Sequence, residues 1–158
     1  MSSGEVLLLA FLIGVIAGLR ALTAPAAVAY GAHKGWLSLG GTHFSWMGSI
    51  FAVLFFVVLA IAELVADQLP STPARTKPTG LIPRILFGAL CGTCVAIAGG
   101  GSLAAGAILG IVGAIVGAFG GYQVRTGLVR ALKVPDFVIA CLEDLVAIGG
   151  GLLIVSRF

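Results

Sequence analysis

The sequence predicts an all-α, polytopic bundle of transmembrane helices, and its composition is the main reason. Hydrophobic residues make up 59% of the 158 positions and charged residues only 9%, whereas charged residues make up about 25% of an average soluble domain. Nine basic and six acidic side chains cannot cover the surface of a soluble fold of this size. We therefore expect one integral membrane domain over residues 1–158, rather than a soluble domain, a disordered chain or a disulfide scaffold.

Five apolar stretches approach the length of about 20 residues that a transmembrane helix needs. In the first, Arg20 and Pro25 interrupt the apolar run, which predicts a kinked or broken helix. The third is short, so an alternative with four spans, which would place both termini on one side of the membrane, stays open. Three prolines in residues 70–80 predict an extended link without helix. The predicted segments are residues 6–30, 46–67, 81–98, 103–122 with a polar continuation to 133, and 134 or 136 to 156.

The distribution of basic residues predicts the orientation, because Lys and Arg are enriched in cytoplasmic loops. With five spans and a cytoplasmic N-terminus, only Lys34 and Arg157 fall outside. This arrangement predicts a multi-pass protein of the bacterial inner membrane with its N-terminus inside and its C-terminus outside. The basic residues on the predicted inner side are Arg75, Lys77, Arg84, Arg125, Arg130 and Lys133.

Glycines recur at spacings of four and three in the fourth segment, which places them on one stripe of a helix. Small residues allow helix backbones to approach closely in a membrane. The stripe predicts tight packing within the chain, with a homo-oligomer interface or a ligand path lined by backbone as alternatives. Its members are Gly106, Gly110, Gly113, Gly117 and Gly120.

Charged residues inside apolar segments are the sharper clue to function. Arg20 lies about fourteen residues into the first segment, and unpaired charges there cost on the order of 2.5–3.5 kcal/mol each by insertion scales. Arg20 must therefore pair with a carboxylate or extend its side chain to the interface. The predicted polar site consists of Arg20, Glu63, Asp67, Glu143 and Asp144, with Glu63 or Glu143 as the proton-titrating group and partner of Arg20.

Motifs for known cofactors and catalytic sites are not found in the sequence. Cys91 and Cys94 have redox or metal spacing, but they lie in an apolar segment and are expected to be packing residues. His33 and His43 lie near two tryptophans, which is typical of an interfacial belt. We expect no cofactor, no metal, no catalytic residues and no nucleic-acid partner, since no basic run could follow a phosphate backbone.

Several motifs resemble those of domain-of-unknown-function family 4126, small bacterial multi-pass membrane proteins. They are residues 18–28 (GLRALTAPAAV), 63–70 (ELVADQLP), 72–76 (TPART) and 134–140 (VPDFVIA), followed by Glu143 and Asp144. The resemblance covers nearly the whole chain and implies a membrane protein. It implies no particular activity, because the family name carries none.

Three functions agree with these patterns. The first is a small transporter or channel-like protein whose polar site has Arg20 as an anion contact or counter-ion. The second is a structural or accessory subunit in which the same charges only lock the bundle. The third is a membrane enzyme that acts on lipid head groups with Glu63 and Asp67. The lipid bilayer is the expected partner, and the sequence names neither an ion nor a small-molecule substrate.

Overall fold

The structure is a computed structural model that describes residues 1–67 and 76–158. It confirms the all-α prediction, since the described residues form α-helices and one short 3₁₀ helix, Ser45–Gly48. The predicted segments recur as helices with shifted ends. The helices are α1 (Ser3–Leu19), α2 (Thr23–His33), α3 (Ile50–Ala66), α4 (Pro78–Ala98), α5 (Leu103–Leu132) and α6 (Asp136–Val155).

Part of the proline-rich link is helical, which corrects the prediction for residues 70–80. Helix α4 begins at Pro78, because proline is well suited to the first turn, where its missing N–H has no helical partner. The part of the predicted link from residue 70 to residue 75 lies outside the described residues, and so does Arg75.

The first apolar stretch is two helices joined by a tight turn. Helix α1 ends where Arg20 takes an extended conformation, with φ of −138° and ψ of 111°. Helix α2 then begins at Thr23 and runs back along the bundle, since Ala27 and Gly31 contact Gly151 and Val155 of α6. At 11 residues, α2 is about 16 Å long, which is half the thickness of a bilayer core.

The turn at Arg20 changes the topology that the sequence predicted. Successive helices alternate in direction, so α1, α3 and α5 finish at one end, which we call the charged end. Both chain termini lie at the other end, the terminal end, where Met1 and Arg157 line one shallow groove. The five-span arrangement, with the termini at opposite ends and the N-terminus beside the basic loops, does not agree with this placement, because the first stretch does not cross as one helix. The alternative that places both termini on one side agrees with it.

Helices α1, α4 and α5 pack with their backbones in contact. A Cβ added to Gly110 would overlap the carbonyl oxygen of Gly88, and one added to Gly14 would overlap that of Gly110. The same holds for Gly106 against α4, and for Gly113 and Gly117 against α1. Gly120 departs from the predicted stripe, since no described atom of another helix lies within 4 Å of its Cβ position.

The outside of the bundle is apolar. Phe51 on α3 is 80% exposed and Leu145 on α6 is 67% exposed, and large exposed aliphatic residues continue along α5. Monomeric soluble proteins rarely expose contiguous apolar areas above a few hundred Å². Helices α4, α5 and α6 are long and apolar enough to cross a membrane, while α1 and α3 are shorter apolar helices of 17 residues each. The predicted count of five spans is not confirmed.

Candidate functional site

The structure brings the five predicted polar residues, including Arg20, to the charged end of the bundle, where they join two further arginines, Arg84 and Arg125. They do not form one uniform cluster. Instead, each of Arg20, Arg84 and Arg125 is the centre of a separate ion-pair group. The carboxylates distributed among these groups are Glu63, Asp67, Asp136, Glu143 and Asp144.

Arg20 is the central charged residue, because its side chain is wholly buried. Its Nη1 pairs with Oδ2 of Asp67 at the end of α3, and its Nε donates to Oδ1 of Asp144 on α6 at 2.6 Å. Its Nη2 also lies 2.5 Å from that Asp144 oxygen, without hydrogen-bond alignment. Both aspartate side chains are 15% exposed. The guanidinium therefore links the turn after α1 to two other helices, and it does not extend to the interface.

Glu63 holds the turn between α1 and α2. Its two carboxylate oxygens accept hydrogen bonds from the backbone N–H groups of Ala21 and Leu22, each at 2.8 Å. Such a carboxylate satisfies donors at a helix start and is favoured by the positive end of the helix dipole. Glu63 also lies 3.7 Å from Nη2 of Arg84. Glu63 therefore caps the backbone N–H groups at the start of α2.

Arg84 ties the same turn to α4. Its Nε donates to the carbonyl oxygen of Gly18 at 3.1 Å, and its Nη1 donates to that of Gly80 at 2.6 Å. The carbonyls near the end of α1 lack helical partners, so this contact satisfies one of them. Arg84 and Glu63 together fix the backbone on both sides of the break.

Arg125 links α5 to the first two turns of α6. Its Nε and Nη2 donate to the two oxygens of Asp136 at 2.9 and 2.5 Å, and its Nη1 lies 3.6 Å from Glu143. The side chain of Asp136 is 62% exposed, so this group reaches the surface of the charged end. A bidentate pair of this kind fixes the relative position of two helices.

Arg20 pairs with carboxylates of the second and fifth predicted segments, as expected, but the choice of Glu63 or Glu143 as its partner is wrong. The structure pairs Arg20 with Asp67 and Asp144, whereas Glu63 and Glu143 pair with other arginines. Neighbouring carboxylates reach different arginines because adjacent side chains on an α-helix point in directions about 100° apart. Glu143 consequently faces α5 while Asp144 faces the turn after α1.

Sequence reasoning missed three contributors to this end of the molecule. Arg84 and Arg125 were counted only as loop charges for orientation, although each lies inside an apolar helix, which is the signal that could have identified them. Thr23 is 5% exposed, and its hydroxyl has no hydrogen-bond partner among the described residues. No pattern in the sequence distinguishes it from other threonines in membrane helices.

The remaining predicted residues lie apart from the charged groups. Cys91 and Cys94 are buried free cysteines in α4. His33 lies at the terminal end, where its Nδ1 is 3.1 Å from the carbonyl oxygen of Gly48. Within residues 1–67 and 76–158, no group of three or more His, Cys, Asp and Glu is arranged to hold a metal ion.

Comparison with known proteins identifies no relative of this chain. No protein family, curated protein or solved structure matches this chain. The resemblance to family 4126 therefore stays a prediction from the motifs, and the function is argued from the site itself.

Proposed function

We propose that this chain is a small multi-pass membrane transporter of the bacterial inner membrane. The three long apolar helices and the apolar exterior support the membrane location. Four of its motifs resemble family 4126, and we propose membership in that family on the same basis. Two of those motifs supply residues of the Arg20 group, namely Arg20 itself and Asp67.

The observation that carries the proposal is the Arg20 group at the break between α1 and α2. Transporter sites are often formed where a membrane helix is discontinuous, beside the end of a half-helix. Here one buried guanidinium is shared by two carboxylates that are partly open to the charged end. These three side chains carry a formal charge of −1, and the charge of Asp67 also acts on Arg125; we propose that a proton or a cationic solute neutralises this charge. Alternate neutralisation by the two would couple solute movement to proton movement.

The other two groups are better suited to a structural role. Arg84 donates mostly to backbone carbonyls and Glu63 accepts mostly from backbone N–H groups, so both hold the chain in place. This supports the structural-subunit hypothesis for those residues only. The enzyme hypothesis gains no support, because both carboxylate oxygens of Glu63 accept hydrogen bonds from the backbone of the chain.

We further propose that the charged end faces the cytoplasm. Lys77, Arg84, Arg125, Arg130 and Lys133 lie towards this end, and Lys and Arg favour the cytoplasmic side. The termini then face outward, which reverses the side that the sequence predicted for the N-terminus.

Cysteine labelling tests this orientation. In a background without native cysteines, single cysteines at Ser2 and Ser38 should react with an impermeant thiol reagent in intact cells. A cysteine at Thr79 should react only after the cells are opened. Labelling of residue 79 alone in intact cells would reverse the orientation, and labelling that differs between residues 2 and 38 would contradict the shared terminal end.

Transport itself is tested in liposomes. Purified protein is reconstituted with a pH-sensitive dye inside, a pH gradient is imposed, and candidate solutes are added outside. We expect at least one class of solute to accelerate proton movement above that of empty liposomes. If no solute moves protons or itself crosses the membrane, the accessory-subunit hypothesis replaces the transporter hypothesis.

A further inference from the structure

An apolar groove of about 340 Å³ runs between α2, α3 and α6. Its volume lies near the lower limit of small-molecule pockets, which is about 300 Å³. The groove is open because alanines, including Ala27 and Ala60, line it at positions where larger side chains would fill the space. Ile61, Leu64, Ile148 and Leu152 form much of the remaining wall. The groove therefore has room for the hydrocarbon part of one small molecule.

Thr23 and Tyr30 are the residues of this wall that carry a hydroxyl group, and the environment of Thr23 is unusual. Its side chain is 5% exposed and lines the groove, and its Oγ1 is buried without a hydrogen-bond partner in the part of the chain that the structure describes. A buried hydroxyl without a partner costs about 1–3 kcal/mol. A polar group on a bound molecule would satisfy the hydroxyl.

The lining of the groove ends short of the Arg20 group, which lies about one helical turn further towards the charged end. Asp67 follows Leu64 by three residues on α3, and Asp144 precedes Ile148 by four residues on α6, so each aspartate lies on the groove-facing side of its helix, one turn beyond the wall. Arg20 contacts one oxygen of each aspartate. Within residues 1–67 and 76–158, no other group donates a hydrogen bond to the second oxygen of either aspartate, and the three side chains together carry a formal charge of −1.

From these three features, we propose that the groove binds an amphipathic ammonium compound. Its hydrocarbon body lies between α2, α3 and α6, and its protonated amine lies beside Asp67 and Asp144 and donates to the hydroxyl of Thr23. An anionic head would meet surplus negative charge, and a neutral head would leave that charge uncompensated. The inference depends on the proposed function, because it names the class of solute that the Arg20 group would exchange for a proton.

The direct test is equilibrium binding of radiolabelled decylammonium to the protein in phosphatidylcholine nanodiscs. Phosphatidylcholine is a suitable background, because its quaternary ammonium has no N–H to donate. We expect saturable binding at one site per chain, competition by unlabelled decylammonium, and no competition by decanoate, which has a similar tail and the opposite charge. Equal competition by decanoate would overturn the proposal.

Two alanines on the same helix provide a matched pair of variants. Ala60 lines the groove, whereas Ala62 is exposed elsewhere on α3. A60F should abolish saturable binding by filling the groove, while A62F should bind as the parent does. Unchanged binding by A60F would overturn the proposal.

T23V keeps the shape of the side chain and removes the hydroxyl, so it tests the polar contact even if the phenylalanine disturbs packing. We expect binding roughly tenfold weaker, the equivalent of one hydrogen bond to a charged group. Parental affinity in T23V would contradict the contact on which the proposal depends.

The same assay separates a free amine from a lipid head group. Phosphatidylethanolamine carries the same ammonium chemistry, and it is added to the nanodiscs at increasing mole fraction. Displacement of decylammonium by this lipid would identify a lipid as the natural occupant, and its failure to displace would favour a free amine. Absence of any decylammonium binding, with solute-dependent proton movement intact in liposomes, would refute this inference alone and leave the transporter proposal standing.

Discussion

The two halves of the bundle are built in different ways. In the half formed by α1, α4 and α5, glycines bring backbones into direct contact, and Gly14, Gly88 and Gly110 meet where the three helices pack together. In the half formed by α2, α3 and α6, a groove separates the helices, and the buried Arg20 connects them at one end. Tight contact between backbones cannot adjust by changes of rotamer, whereas ion pairs and an open groove can.

This contrast assigns different roles to the two halves. The glycine-packed half is the scaffold, since close packing leaves it few alternative arrangements. The other half contains the charged site, the short helix α2 and the hydroxyl of Thr23, which has no hydrogen-bond partner among the described residues. These are the features that a solute could engage. Variants in the two halves should consequently fail in different ways.

The largest loss of stability is expected in the scaffold. G110L places a side chain where Gly88 and Gly92 of α4 leave no space, and relief would require helix separation. Extra methylenes in a packed core typically cost about 1–3 kcal/mol, and G110L inserts a whole side chain against backbone, so we expect its loss to exceed the one at Arg20. G120L is the control, because its Cβ position has no described atom of another helix within 4 Å. Thermal melts and size-exclusion profiles in detergent should separate them, and equal behaviour would remove the scaffold role.

The next effect concerns Arg20. R20L leaves Asp67 and Asp144 buried without a counter-ion, and removal of one partner of a buried ion pair costs about 3–5 kcal/mol. Adding D67N and D144N should restore most of the stability, because the uncompensated charges are then gone. Adding E143Q instead should not, since Glu143 pairs with Arg125. Rescue by E143Q and not by the aspartate changes would contradict the assigned pairs, and the melts measure both.

A smaller effect is expected at Glu63. E63Q keeps one carbonyl oxygen for the N–H groups of Ala21 and Leu22 and loses the second acceptor and the charge. We expect a loss of roughly 1–2 kcal/mol, that of one strong hydrogen bond. Hydrogen exchange at Ala21 and Leu22 should become faster, while exchange in α5 stays unchanged. Faster exchange throughout the chain would show that the turn and the scaffold are not independent.

The smallest effect is expected in the groove. A60V adds two methyl groups beside open space, so its melting temperature should stay close to that of the parent, with a change below about 0.5 kcal/mol. In contrast, G92V should lower the melting temperature clearly, because a Cβ at residue 92 would overlap the carbonyl oxygen of Gly106. If the two variants lowered the melting temperature equally, the half formed by α2, α3 and α6 would be packed as tightly as the scaffold.

Sequence patterns were sufficient for the parts that depend on local chemistry. Apolar runs marked the helices, and the interruption at Arg20 marked the break. The pattern could not show that α2 turns back, because that depends on contacts between Gly31 and Val155, far apart in the chain. The error in topology followed from this one turn. The partners of Arg20 were also beyond reach, since they depend on how α3 and α6 are rotated in the bundle.

Proton movement in liposomes containing D144N tests the central claim most directly. This variant leaves Arg20 paired one-to-one with Asp67, so the fold should persist, but the surplus charge that binds the proton or the solute is gone. D136N is the matched control, because Asp136 is 62% exposed and pairs with Arg125. We predict that D144N melts near the parent and loses solute-dependent proton movement, while D136N keeps it. Parental proton movement in a folded D144N would contradict the assignment of the Arg20 group as the transport site.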